Sequence, residues 1–270
     1  MEIITFKNNI TLSICYRAVA PGSERIIDKE LPIFIGEISK LPEGLQGIIV
    51  TSDLQGIVVK DRENILLGEV LAETLVLYVE IELGLDPKKF GVVLCGDLFA
   101  TLEKRGGLGD VRNVWNKFNE GFKWVVGVAG NHDDFGSKDE FEEFKNKVDI
   151  NYLHNETKQL DNLVVAGISG IIGNPDKVNR IEEGNYIGMI KKLLKENPNM
   201  LLLHQPPDNP IDNLVGNGKV RDTLEGAKPI LVFCGHKHWK QALTKLSNGT
   251  QVLNVDSRVV ILVNRDIKRK

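Results

Sequence analysis

A chain of 270 residues carrying a net charge of −3, with 42% hydrophobic and 26% charged residues, has the composition of a globular protein able to bury a large core. Lys and Arg are interspersed with Asp and Glu, which argues against a dedicated surface for nucleic acid or for an anionic membrane. The richest apolar run, Leu75 to Leu83, is broken by Glu80 and Glu82 and falls short of the roughly 18 residues that cross a bilayer.

The first 46 residues are weakly patterned, and Pro21-Gly22-Ser23 marks a turn in an added arm or hairpin packed on a core that occupies 47–270. Ala18-Val19-Ala20 imitates a signal-peptide cleavage site. Lys7, Asn8, Asn9 and Arg17 interrupt the apolar stretch such a signal needs, so the expected location is the cytoplasm. From Ile48 onward, short apolar runs alternate with helical patterns. The runs Ile48-Ile49-Val50, Val92-Val93-Leu94, Val125-Val126-Gly127-Val128, Leu163-Val164-Val165, Leu201-Leu202-Leu203 and Ile230-Leu231-Val232-Phe233 predict strands. Helices are predicted over about 61–83, 110–120, 138–147, 185–196 and 219–226, the first with Leu71, Leu75 and Val79 at helical spacing. Asp110 and Ser137 are placed to cap the second and third. Gln241 to Val263 reads as β-hairpins turning at Ser247-Asn248-Gly249. Trp115, Phe118, Phe122 and Trp124 read as core.

This alternation predicts an α/β sheet with polar residues collected beyond the C-terminal ends of its strands. Asp53, Asp97, Asn131 with His132, His204, and His236 with His238 each follow a different strand. Four of the five histidines therefore fall at one sheet edge, among hard oxygen donors. That mixture suits Mn²⁺, Fe or Zn²⁺, and it contains more ligands than one ion needs. The cysteines Cys15, Cys95 and Cys234 have no zinc spacing, and Cys95 and Cys234 read as buried strand residues in a reducing compartment.

Thr51-Ser52-Asp53-Leu54-Gln55-Gly56, Gly96-Asp97-Leu98-Phe99, Gly130-Asn131-His132-Asp133, His204-Gln205-Pro206-Pro207 and Gly235-His236-Lys237-His238 resemble, in order, the five motifs of the calcineurin-like metallophosphoesterases. The resemblance covers roughly 48–260 and implies a four-layer α/β/β/α sandwich with two mixed sheets. It further implies two divalent ions, most simply Mn²⁺, with Fe or Zn²⁺ as the other choices. One ion would be held by Asp53, Gln55, Asp97 and His238, the other by Asp97, Asn131, His204 and His236, so that Asp97 bridges. A metal-bridging hydroxide would hydrolyse a small phosphomonoester, a phosphodiester or a nucleotide diphosphate. His132 is then the general acid, oriented by Asp133. The family's first motif usually reads Asp-x-His, and Gln55 here offers a neutral but harder donor, which favours Mn²⁺.

Arg105, in the loop Lys104 to Asp110, and Asn131 are candidate substrate contacts, while Asn213 to Lys219 reads as a surface loop. His154 lies outside the motifs, and Asn254-Val255-Asp256-Ser257 is placed to brace the site. A non-catalytic scaffold of the same fold is the alternative, but such relatives lose ligands that this chain keeps. The second motif lacks the Asp-Arg-Gly of protein phosphatases, Ala129 stands where they have Arg, and Ala100 stands where purple acid phosphatases have Tyr. A DNA-repair nuclease would be expected to carry a basic bias and a coiled-coil arm. The expected partner is a small phosphorylated substrate, with no membrane, no indicated nucleic acid and an oligomeric state left open.

Overall fold

The computed structural model describes residues 1–6 and 9–267; Lys7 and Asn8, named above against a signal peptide, lie outside the described residues. Four strands, Gly47–Ser52, Phe90–Leu94, Trp124–Gly127 and Ile150–Tyr152, run parallel in one sheet. In a second sheet Leu163–Ile168, Met200–Leu203, Leu231–Cys234 and Gln251–Asn254 are likewise parallel. Antiparallel neighbours at their margins make both sheets mixed.

Alternating side chains assign each strand to two cores. Ile49, Val92 and Val125 pack with α1 (Leu67–Leu77), α2 (Arg112–Gly121) and α3 (Lys138–Lys145). Ile48, Val50, Val93 and Val126 face the second sheet, meeting Val165, Leu202, Phe233 and Leu253. On that sheet's outer face Leu201, Leu203 and Val232 pack with α4 (Glu183–Leu194) and α5 (Gly218–Glu225). Three cores between four layers are the expected α/β/β/α sandwich, and they explain why the central strands read as unbroken apolar runs. Trp115, Phe118, Phe122 and Trp124 are core residues, as expected.

Three local expectations need correction. The predicted helix at 61–83 begins as a hairpin, Ile57–Lys60 with Glu63–Leu66; the helix proper starts at Leu67 and ends in a π-helical turn, Tyr78–Glu82. Asp110 is not the N-cap residue of α2: Val111 is, and the Asp110 carboxylate accepts the Arg112 N–H from one position earlier. Ser137 does cap α3, in a full capping box with Glu140. The C-terminal segment makes only one hairpin, Leu243–Lys245 with Gln251–Asn254. The strand after it, Arg258–Asn264, crosses to the first sheet and lies between Gly47–Ser52 and Ile26–Ser39. The first 46 residues thus enter that sheet directly: Leu12–Val19 and Ile26–Ser39 form an antiparallel hairpin that lies between Arg258–Asn264 and the hairpin 57–66. No helix among the described residues is long and apolar enough to cross a membrane.

Candidate metal centre

Both sheets end their parallel strands toward the same edge, where the polar motifs sit. Asp53, Asp97 and His236 turn there through left-handed backbone, at φ of 54°, 54° and 66°. Asp and His are among the residues that tolerate this region, and such strain persists only where the surroundings enforce it. The loops are also pressed together. A Cβ on Gly130 would fall 2.0 Å from Asp97 Oδ1, so no larger residue fits between the second and third motifs.

Asp97, His204 and His236 form the tight centre, with one ligand atom of each within 4.8 Å of the others. His204 is fully buried, and its Nδ1–H donates to the Cys95 carbonyl at 2.7 Å. That bond commits Nδ1 and aims Nε2 at Asp97 Oδ2, 3.3 Å away and outside hydrogen-bond geometry. Asn131 Oδ1 is a second buried polar atom with no partner. Two such atoms beside a buried carboxylate are the signature of a site built for a cation, be it a proton or a metal ion.

The electrostatics agree. Burial disfavours protonated His204, yet Asp97 and Asp53 overcome it and hold the imidazole up to about 10. Burial, then the nearby Asp256, pushes the Asp53 carboxyl well above its usual range. His236 is driven down to about 4 by burial and by the adjacent His204. The cluster thus draws in a proton where positive charge is needed, and a divalent ion meets the same need. Burial pushes the thiols of Cys95 and Cys234 up, and the cluster consists of Asp97, His204 and His236 without either of them.

The other predicted ligands are arranged less tightly. Asp53 Oδ2 accepts from Ser52 Oγ at 2.6 Å and from the His236 N–H at 2.9 Å, which ties the first motif to the fifth. Gln55 Nε2 donates to Asp97 Oδ2 at 3.4 Å, and turning the amide over presents its oxygen instead. His238 stands apart, its side chain 58% exposed and its Nδ1 3.4 Å from Asp256 Oδ1.

His132 reaches the centre from the side. Its backbone N–H donates to Asp97 Oδ1 at 2.9 Å, and its ring Nε2 lies 4.0 Å from Asp97 Oδ2, partly open to the cleft. Asp133 does not orient that ring through a side-chain bond. Its buried carboxylate accepts the N–H groups of Asp97 at 2.8 Å, Leu98 at 2.7 Å and Gly130 at 2.8 Å. It is a backbone clamp between two motifs, and burial and the Asp97 charge push it up to about 6 in spite of those bonds.

Three supporting residues were not singled out from the sequence, and a fourth, Asp256, lies in the segment read there as a brace. Asn179 Nδ2 donates to the carbonyls of Gly130 and Asp133, bracing the His132 loop from a distant segment. Asp256 packs against His238 and raises Asp53. Arg258, buried, donates to the Trp239 carbonyl and meets the His238 ring at 3.3 Å. Ser52 bonds Asp53. A signal existed for one of them: Arg258 is a lone cation opening the apolar run Val259 to Val263. Asn254, read as a brace, is one: Nδ2 donates to the Lys237 carbonyl at 2.9 Å. Arg105 lines the cleft beside Lys104.

The sequence model of the calcineurin-like phosphoesterases matches residues 47–240, and the chain belongs to that family. The crystal structure of the protein TT1561 of Thermus thermophilus shares the fold, with a TM-score of 0.57 and 19% identity over 79% of this chain and 90% of that one. The phosphopantetheinyl hydrolase PptH of Mycobacterium tuberculosis overlays with a TM-score of 0.47 and 12% identity over 79% of this chain and 90% of its own, a level that says nothing of its chemistry here. Among curated proteins none matches the chain.

Proposed function

We propose that this protein hydrolyses a small phosphate ester with two divalent ions, most favourably Mn²⁺. The observation that carries the reading is the Asp97–His204–His236 cluster with its orphaned Nε2. Asp97, Asn131, His204 and His236 would hold one ion; Asp53, Gln55, Asp97 and His238 would hold the other, once His238 turns from Asp256. Bound ions supply charge neutralisation at the phosphoryl oxygens and acidify water at the site.

The chain's own groups do the rest. His132 is held by its N–H bond to Asp97 with the ring at the cleft, where Nε2 can deliver a proton to the leaving oxygen. Asp133 and Asn179 fix the loop that carries it. The burial of Asp53, Asp97 and His204 keeps water from screening the charges. The test is turnover of a panel of phosphomonoesters, phosphodiesters and nucleoside diphosphates with each of several metals, alongside metal analysis. Wild type should turn over at least one class, and Asp97→Ala should lose both activity and metal. Turnover by Asp97→Ala at the wild-type rate contradicts the reading.

A further inference from the structure

The cleft that holds the cluster extends well beyond it. Its volume is about 1030 Å³, the size of pockets that enclose whole small molecules rather than a lone phosphoryl group. The outer wall is the N-terminal hairpin, which lies outside the matched family region. Its register pairs Tyr16 with Lys29 and Ala18 with Ile27. Alternation places these four side chains on one face, and all four line the cleft. On the opposite face Arg17 and Asp28 pair with each other at 3.5 Å.

Lys29 has no such partner. Among the described residues, none of the basic side chains Lys29, Lys104, Arg105 and Lys237 lining the cleft has a carboxylate within 4.0 Å. The Lys29 ammonium instead lies 5.7 Å from the centroid of the Tyr16 ring. That ring rests on Gly56, where a Cβ would fall 2.1 Å from Tyr16 Cδ2. The residue after Gln55 must therefore be glycine for the hairpin to approach, and the contact fixes the wall against the first motif.

We infer that the hairpin is a substrate-recognition wall: the apolar or aromatic body of the ester lies on Ala18 and Ile27, and Lys29 takes a second anionic group of the same molecule. This rests on the reading of the cleft as a phosphoester site. A single phosphoryl group is already matched by the metal cluster and His132, whereas Lys29, Lys104, Arg105 and Lys237, against Glu30 as the one lining carboxylate outside the cluster and its brace Asp256, leave a net positive cleft that complements a larger polyanion.

Adenosine diphosphate, with two phosphoryl groups and an aromatic base, serves as probe, and inorganic phosphate as compact control. Both are titrated calorimetrically into the manganese-loaded full-length protein. Wild type should bind adenosine diphosphate at least about tenfold more tightly than phosphate. Lys29→Ala should weaken adenosine diphosphate about tenfold, the value of one charge-assisted contact, and move phosphate by less than about twofold. Ala18→Asp should act in the same direction, and Arg17→Ala, on the outer face, should change neither ligand. Equal affinity for the two ligands in wild type, or an unchanged adenosine diphosphate affinity in Lys29→Ala, overturns the inference. Lys29-dependent binding without turnover of any phosphoester sinks only the hydrolase reading; turnover with Lys29-independent binding sinks only the wall.

Discussion

Asp133→Asn separates positioning from chemistry at this site. In the wild type, one oxygen accepts from Asp97 and Gly130 and the other from Leu98, all within 2.8 Å and out of contact with water. An asparagine keeps one acceptor, but its NH₂ must then face at least one backbone N–H, donor against donor. Leaving one buried donor unpaired costs about 1–3 kcal/mol, and losing the charge on the remaining bonds brings the total to about 2–4 kcal/mol. For a chain of this size, at roughly 2–4 °C per kcal/mol, the melting temperature should fall by about 4–16 °C. Circular dichroism melts with excess chelator isolate the clamp from metal loss, and melts with Mn²⁺ report both. A chelated melting temperature equal to wild type, with activity lost, would show that Asp133 acts in the reaction and not on the backbone.

The remaining predictions concern separate parts of the site. His132→Ala should lower kcat by about 100-fold or more while metal content by elemental analysis stays at the wild-type level; equal loss of metal would make His132 a ligand. Gln55→His should shift the ranking of metals in an activity titration from Mn²⁺ toward Zn²⁺, since imidazole is the softer donor, and an identical ranking contradicts the assignment. Glu140 in α3 is held down to about 2 by the Ser137 N–H and by Arg112. Its folded value lies below its ordinary one, so its contribution to stability is present above the ordinary carboxylate range and fades as pH falls toward 2. Melting curves of wild type and Glu140→Gln should therefore converge across that acidic window, and a gap that persists at the acid end would contradict the capping role.

Much of the fold could be read locally, because strands covered on both faces become short apolar runs bounded by Gly or Asp, as at Ile48 and Leu201. The edge on which the ligands gather followed from that alternation. What the sequence concealed depends on distant pairing. Asp61 to Leu66 reads as the start of the helix expected at 61–83, but the pairing of Glu63–Leu66 with Ile57–Lys60, and the junction of that pair with Leu12–Val19, take it into the sheet. Arg258–Asn264 looks like the return strand of a hairpin, and only its partners at 47–52 and 26–39 reveal the crossing between sheets. Asp133 shares a motif with His132, yet two of its three partners, Asp97 and Leu98, are more than 30 residues away. Asn179 stands in a polar loop with no pattern around it, so its bonds to the His132 loop have no local signature.

The most direct test of the central claim is the metal content of the purified protein together with anomalous scattering from crystals grown with Mn²⁺. Two ions per chain are expected, with Asp97 between them, His204 Nε2 and His236 on one, and Asp53 and Gln55 on the other. A single ion, or ions bound with His204 and His236 turned away, would contradict the account.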